Sequence, residues 1–108
     1  MENNIRDLSL KIRSLLQDAP EVVEYNRLAE AIKKNPSIQQ QEESLKKMQQ
    51  DMVNLLDSNK LDEYNLLVAQ YKISKENYDK NPLIVNYMIA KEDLNNLILE
   101  IQNIIKQY

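Results

Sequence analysis

Three pairs of adjacent carboxylates are the first residues of this sequence that could do chemistry: Glu42-Glu43, Asp62-Glu63 and Glu92-Asp93. Paired carboxylates can bind a divalent cation or divide acid–base work between them. Adjacent residues on a helix point about 100° apart, however, so the two members of a pair do not share one face. We therefore interpret all three pairs as solvated helix surface.

The composition removes most other catalytic arrangements. The chain of 108 residues has no His, no Cys and no Gly. Without His and Cys it has no imidazole base, no Ser-His-Asp triad, no Cys nucleophile and no imidazole or thiolate metal ligand. Without Gly it cannot form the common phosphate-binding loops, which need close approach of the backbone to the ligand. We predict that the protein is not an enzyme and has no metal, no cofactor and no catalytic residue.

The charge pattern also argues against direct binding of nucleic acid. The formal net charge is −3, whereas nucleic-acid affinity depends on neutralising phosphates. The basic clusters are Lys33-Lys34, Lys46-Lys47 and the pair Lys72 and Lys75, which we interpret as solvated or as complementing a helix dipole. An RNA-binding accessory that uses these lysines remains an alternative.

A stripe of tyrosines has two interpretations. Tyr64, Tyr71 and Tyr78 are seven residues apart, so they lie on one face of a helix. The simpler interpretation is a core or dimer edge whose hydroxyls reach solvent, and the functional one is a docking stripe for a partner.

Helical spacing of apolar residues extends along almost the whole chain. It predicts an all-α fold of four to five helices in an antiparallel bundle, within a single domain over residues 1–108. The first predicted helix ends near residue 17, and the four that follow cover residues 19–34, 36–57, 61–79 and 82–107. Short connections favour antiparallel neighbours, so the third and fourth helices should form a long hairpin around residues 57–60. Asn59 is expected to take the left-handed conformation that usually requires Gly.

The other breaks carry signals for the start of a helix. Asn35 and Asn81 each precede a Pro, and we predict both as N-caps with the Pro in the first turn. Asp18 is the predicted N-cap of the second helix, because Glu21 follows three residues later as in a capping box.

The long C-terminal helix has the strongest apolar stripe, which ends at Tyr108. This face is wider than one small bundle can cover, so we predict that it mediates self-association or partner binding. The predicted interface residues are Tyr87, Leu94, Leu97, Ile98, Ile101, Ile104 and Ile105, together with Tyr64, Tyr71 and Tyr78.

These stripes and breaks resemble the YlbF/YmcA family of small helical regulators from low-GC Gram-positive bacteria. The resemblance covers about residues 5–106. Its residues are Ile12, Leu15, Asp18-Ala19-Pro20-Glu21-Val22, Tyr25, Ala29, Ile32, Asn35-Pro36, Asn81-Pro82-Leu83-Ile84-Val85-Asn86-Tyr87, Ala90, Leu94, Leu97-Ile98, Ile101, Ile104 and Ile105.

The resemblance implies a self-associating, non-enzymatic regulator. Some family members assist an endoribonuclease in processing messenger RNA and thereby influence competence, sporulation and biofilm formation. Those members carry Cys-bearing extensions linked to iron–sulfur binding, and this chain differs from them in having no Cys.

The sequence leads to one principal hypothesis. We expect a cytoplasmic helical adaptor that forms a dimer or larger homo-oligomer and binds a protein partner. Two observations support the location: residues 1–4 are polar, and no apolar run approaches the roughly 18–20 residues of a membrane-spanning helix. A small chaperone-like or structural helical module is the other alternative.

Overall fold

The structure is a computed structural model that describes the backbone of residues 2–107 and the side chains of residues 4–107. This part of the chain forms five α-helices: α1 (Glu2–Asp18), α2 (Pro20–Lys33), α3 (Pro36–Asp57), α4 (Leu61–Asp79) and α5 (Pro82–Lys106). The predicted all-α fold is confirmed, and the predicted segments match the observed helices to within about a residue. Met1 and Tyr108 lie outside the described residues.

The helices are arranged in two compact units. One contains the described residues up to Glu30 and those from Asn86 onward, and the other is Ala31–Val85. The boundaries fall inside α2 and α5, so each of these helices contributes to both units. That the whole chain behaves as a single domain stays a prediction.

Three of the helices begin at a proline. Pro20, Pro36 and Pro82 are the first residues of α2, α3 and α5. Proline disfavours the helical conformation at the residue before it, and its own missing N–H costs nothing in a first turn. Asn35 is the N-cap of α3: its backbone is extended, and its Oδ1 accepts a hydrogen bond of 3.1 Å from the N–H of Ile38. Before α5, the Oδ1 of Asn81 accepts the N–H of Leu83 at 2.9 Å.

The N-cap of α2 differs from the sequence prediction. Asp18, which we expected to cap this helix, is instead the last residue of α1, and Ala19 is the residue before Pro20. The Ala19 carbonyl accepts the N–H groups of Val22 and Val23, each at 3.1 Å. The physical reason is the restriction that Pro20 imposes on Ala19, which outweighs the better capping chemistry of Asp18 one residue earlier.

The turn between α3 and α4 contains the left-handed residue that the sequence predicts. Asn59 has a φ of 60°, and it is the one described non-glycine residue with positive φ. Its N–H donates to the Leu56 carbonyl at 3.1 Å, and the N–H of Lys60 donates to the Leu55 carbonyl at 2.9 Å. This pair of bonds is a Schellman motif, which satisfies carbonyls at the end of α3 that lack a helical partner.

Each unit has a small core. Leu28 and Ala90 are buried in the first unit, and Ile38 and Ile84 in the second. No polar or charged residue among residues 4–107 is buried. Most other apolar residues are half-buried or exposed, so a large apolar surface remains accessible on both units. Within residues 2–107, every helix is too short or too polar to cross a membrane.

Candidate interaction surface

Along α5, the predicted interface residues divide into two groups. Tyr87, Leu94, Leu97 and Ile101 are half-buried against their own unit. Ile98, Ile104 and Ile105 remain 39%, 51% and 46% exposed. Ile98 and Ile105 are seven residues apart, so they lie on one face of the helix. We call these two residues the α5 edge.

A groove lies between the C-terminal part of α1 and the C-terminal half of α5. It has a volume of about 500 Å³. Leu15 and Leu16 line it from α1, and Leu97, Ile101 and Ile104 line it from α5. Sequence patterns alone did not identify these two leucines as part of a surface site. We call this feature the α1/α5 groove.

Acidic side chains border the α1/α5 groove. Asp18 and Glu100 are among its lining residues, and no lining residue is Lys or Arg. A smaller depression of about 220 Å³ shares Glu100 and Leu97 with the groove and is also lined by Glu21 and Asp93. Asp18 and Glu100 form no ion pair with another described residue. The groove therefore combines an apolar floor with a negatively charged border.

Tyr87 packs against Tyr25 within the same unit. The two hydroxyl oxygens are hydrogen-bonded at 3.1 Å, and the ring centroids lie 5.4 Å apart with the planes tilted by 30°. The contact joins α2 to α5. The pairing could not be read from the sequence, because periodicity alone carries no information about which residues of different helices meet.

The tyrosine stripe of α4 faces α3. Gln49 Nε2 donates a hydrogen bond of 2.9 Å to the Tyr71 hydroxyl, and the Tyr78 hydroxyl donates one of 2.6 Å to Glu42 Oε1. Tyr64 is half-buried on the same stripe. These contacts lie between α3 and α4 of one chain. A role of the three tyrosines at a dimer edge or in docking of a partner stays a prediction. Leu66 and Ile73 of α4, which the sequence analysis did not single out, are 63% and 62% exposed.

On the surface outside the groove, Arg27 pairs with Glu24 and Lys75 pairs with Asp79. Arg27 donates hydrogen bonds of 3.0 and 2.6 Å to the two carboxylate oxygens of Glu24. These bonds favour the charged carboxylate, so the pKa of Glu24 lies below its usual value. No three acidic residues among those described come close enough together to hold a metal ion. The described surface of the first unit therefore offers an apolar groove with an acidic border and a separate exposed apolar edge.

Comparison with known proteins assigns the chain to a family. The family described as control of competence regulator ComK, YlbF/YmcA, matches residues 5–108. The chain belongs to this family. The resemblance inferred from the sequence is thereby confirmed, and the assignment is to a regulatory family. No curated protein and no solved structure matches the chain.

Proposed function

We propose that this YlbF/YmcA-family member is a non-enzymatic regulatory adaptor that acts in the cytoplasm by self-association and by binding a protein partner. The observation that carries the proposal is the exposed α5 edge, Ile98 and Ile105. Two isoleucines on one face of a long helix, both accessible in a chain with a small core, are typical of a helix that packs against a second chain.

The energetics favour covering this edge. Full burial of an isoleucine side chain contributes about 1.5–3 kcal/mol relative to leaving it in water. Both residues of the edge retain a substantial exposed fraction, and Leu99 beside them is also exposed. A second copy that packs its own α5 edge against this one would bury both edges at once, because a two-fold interface uses the same patch on each subunit.

The absence of His and Cys supports the non-enzymatic part of the proposal. Regulation would then follow from which protein the adaptor holds, and the family's description points to control of a competence regulator. By the same resemblance, the adaptor serves as an accessory in messenger RNA processing and in the control of competence, sporulation and biofilm formation.

Sedimentation measures the self-association directly. We expect the wild-type protein to sediment as a dimer or larger species at tens of micromolar. Ile105→Asp should shift it toward monomer, because a charge would be desolvated in the interface. Asn103→Asp is the matched control, since it adds the same charge at an exposed polar position of α5. A monomeric wild-type protein, or an equal shift in both variants, would contradict the proposal.

A further inference from the structure

We propose that the α1/α5 groove binds a basic amphipathic helix of a partner protein, with apolar anchors on one face and Lys or Arg beside them. This inference rests on the proposed adaptor function and identifies the chemistry of its partner. It uses a surface distinct from the α5 edge, because neither Ile98 nor Ile105 is among the lining residues of the groove.

The shape of the groove suits a helix. Leu15 and Leu16 line one side and Leu97, Ile101 and Ile104 line the other, so the apolar floor runs between two helices. Its volume of about 500 Å³ is within the range of sites that enclose a few apolar side chains. Amphipathic helices bind such grooves through anchors at positions i, i+3 or i+4, and i+7. The 63% exposure of Leu15 leaves its side chain accessible to such an anchor.

The negative charge of the groove favours a partner that carries positive charge. Asp18 and Glu100 border the floor, and Glu21 and Asp93 continue the negative surface beside it. Because no Lys or Arg lines the groove, the negative charge of these carboxylates is not neutralised by a neighbouring cation of the lining. Cations flanking the apolar face of the bound helix would meet these carboxylates, which favours basic partners and disfavours acidic ones.

A second copy of this chain fits the groove less well. The formal net charge of −3 opposes docking of one copy onto the acidic groove of another. In α1, Arg6, Lys11 and Arg13 are offset by Glu2, Asp7 and Asp18, so this helix has no net positive charge. Its last turns already line the groove of their own unit. A partner of different sequence is therefore the occupant that charge and availability favour.

Two synthetic peptides test the proposal. Both are fluorescein-labelled amphipathic helices with the same leucine anchors, and their remaining positions are Lys in one and Glu in the other. Fluorescence anisotropy should show binding of the Lys peptide and at least about ten-fold weaker binding of the Glu peptide. The preference should shrink at about 1 M salt, because screening weakens exposed charge pairs.

Variants of the groove test its apolar floor and its acidic border separately. Leu15→Ser should weaken binding of the Lys peptide, because it removes an apolar side chain that lines the groove. The double variant Asp18→Asn, Glu100→Gln should weaken it by about ten-fold while reducing the difference between the peptides. Glu92→Gln is the matched control, since Glu92 is an exposed carboxylate of α5 that does not line the groove. It should bind the Lys peptide like the wild type.

Three outcomes would overturn the inference: equal affinity for both peptides, affinity unchanged in the groove variants, or a lower sedimenting mass of Leu15→Ser, which would make the groove an interface between copies. These results are distinct from failure of the proposed function. Loss of peptide selectivity with an intact oligomer contradicts only the groove. A monomeric protein that still selects the Lys peptide contradicts only the self-association.

Discussion

The Tyr78 hydroxyl of α4 donates a hydrogen bond of 2.6 Å to the Glu42 carboxylate of α3, 36 residues earlier in the chain. One heptad back along α4, Tyr71 accepts a hydrogen bond from Gln49, one heptad forward along α3. The two bonds are therefore related by one heptad in opposite directions along α3 and α4, as expected for an antiparallel pair of helices. They hold the tyrosine stripe against α3 and set which residues of the two helices face each other.

Removing the Tyr78 hydroxyl should destabilise the unit Ala31–Val85, which contains α3 and α4. A hydrogen bond to a charged group contributes about 1.5–3 kcal/mol, and partial exposure reduces this, so we expect Tyr78→Phe to cost about 1 kcal/mol in free energy of unfolding. Phe keeps the ring, and with it the contact with the Lys75 ammonium 5.1 Å from the ring centre. Chemical denaturation of Tyr78→Phe, of Glu42→Met, which removes the acceptor oxygens, and of the double variant measures the coupling. Additive effects of the two substitutions would show that the bond contributes nothing.

The left-handed Asn59 offers a second test. An alanine at a φ of 60° has a Cβ that crowds the following carbonyl, which costs about 1–2 kcal/mol. Asparagine tolerates this conformation and glycine accepts it without steric cost. We therefore expect Asn59→Ala to lower the unfolding midpoint and Asn59→Gly to leave it nearly unchanged. A midpoint lowered equally by both would assign the effect to a lost side-chain contact and contradict the backbone explanation.

Ala19 is a weak N-cap, and the structure predicts that it can be improved. Its side chain has no oxygen to accept an N–H in the first turn of α2. Asn, Asp and Ser stabilise helices relative to Ala at this position by about 0.5–2 kcal/mol. We expect Ala19→Ser to raise the thermal midpoint. Asp18→Ala is the control, because Asp18 ends α1 and removing its carboxylate should not cost the stability of a cap. A thermal midpoint lowered by Asp18→Ala and unchanged by Ala19→Ser would restore Asp18 as the cap.

Gln41 lies in α3, three residues after the buried Ile38. Its Oε1 is buried and has no hydrogen-bond partner among the described residues. Leaving a buried acceptor unpaired costs about 1–3 kcal/mol, whereas an apolar side chain of similar length has no such cost. Gln41→Met should raise the free energy of unfolding, as measured by denaturant titration. A loss of stability would indicate that water or another group satisfies this amide.

Local sequence signals predicted the elements better than they predicted the surfaces. Pro36 and Pro82 mark helix starts because proline acts on its immediate neighbours, and Asn59 marks a turn for an equally local reason. The α1/α5 groove joins Leu15 to Ile101, residues far apart in the chain, and periodicity does not specify which helices pair. The same limit applies to the hydroxyl partners of Tyr71 and Tyr78. Asp18 was misassigned because two local signals competed and the restriction on Ala19 prevailed.

The prediction that residues 1–108 form a single domain can be tested through the caps. Asn35 and Asn81 both belong to the unit Ala31–Val85, and the side chain of each accepts an N–H at the start of a helix. Replacement of either by Ala should cost about 1 kcal/mol, within a range of about 0.5–2. In one cooperative domain this cost lowers the unfolding midpoint of every residue equally.

Buried residues of the two units report the result separately. NMR signals of Leu28, in the first unit, and Ile38, in the second, can be followed through the same denaturant titration. We expect their midpoints to coincide in the wild type and to fall together in Asn81→Ala, because α2 and α5 are continuous helices that contribute to both units. If the Leu28 midpoint stayed in place while that of Ile38 fell, the units would unfold independently. The chain would then present its groove and its hairpin on separately stable parts.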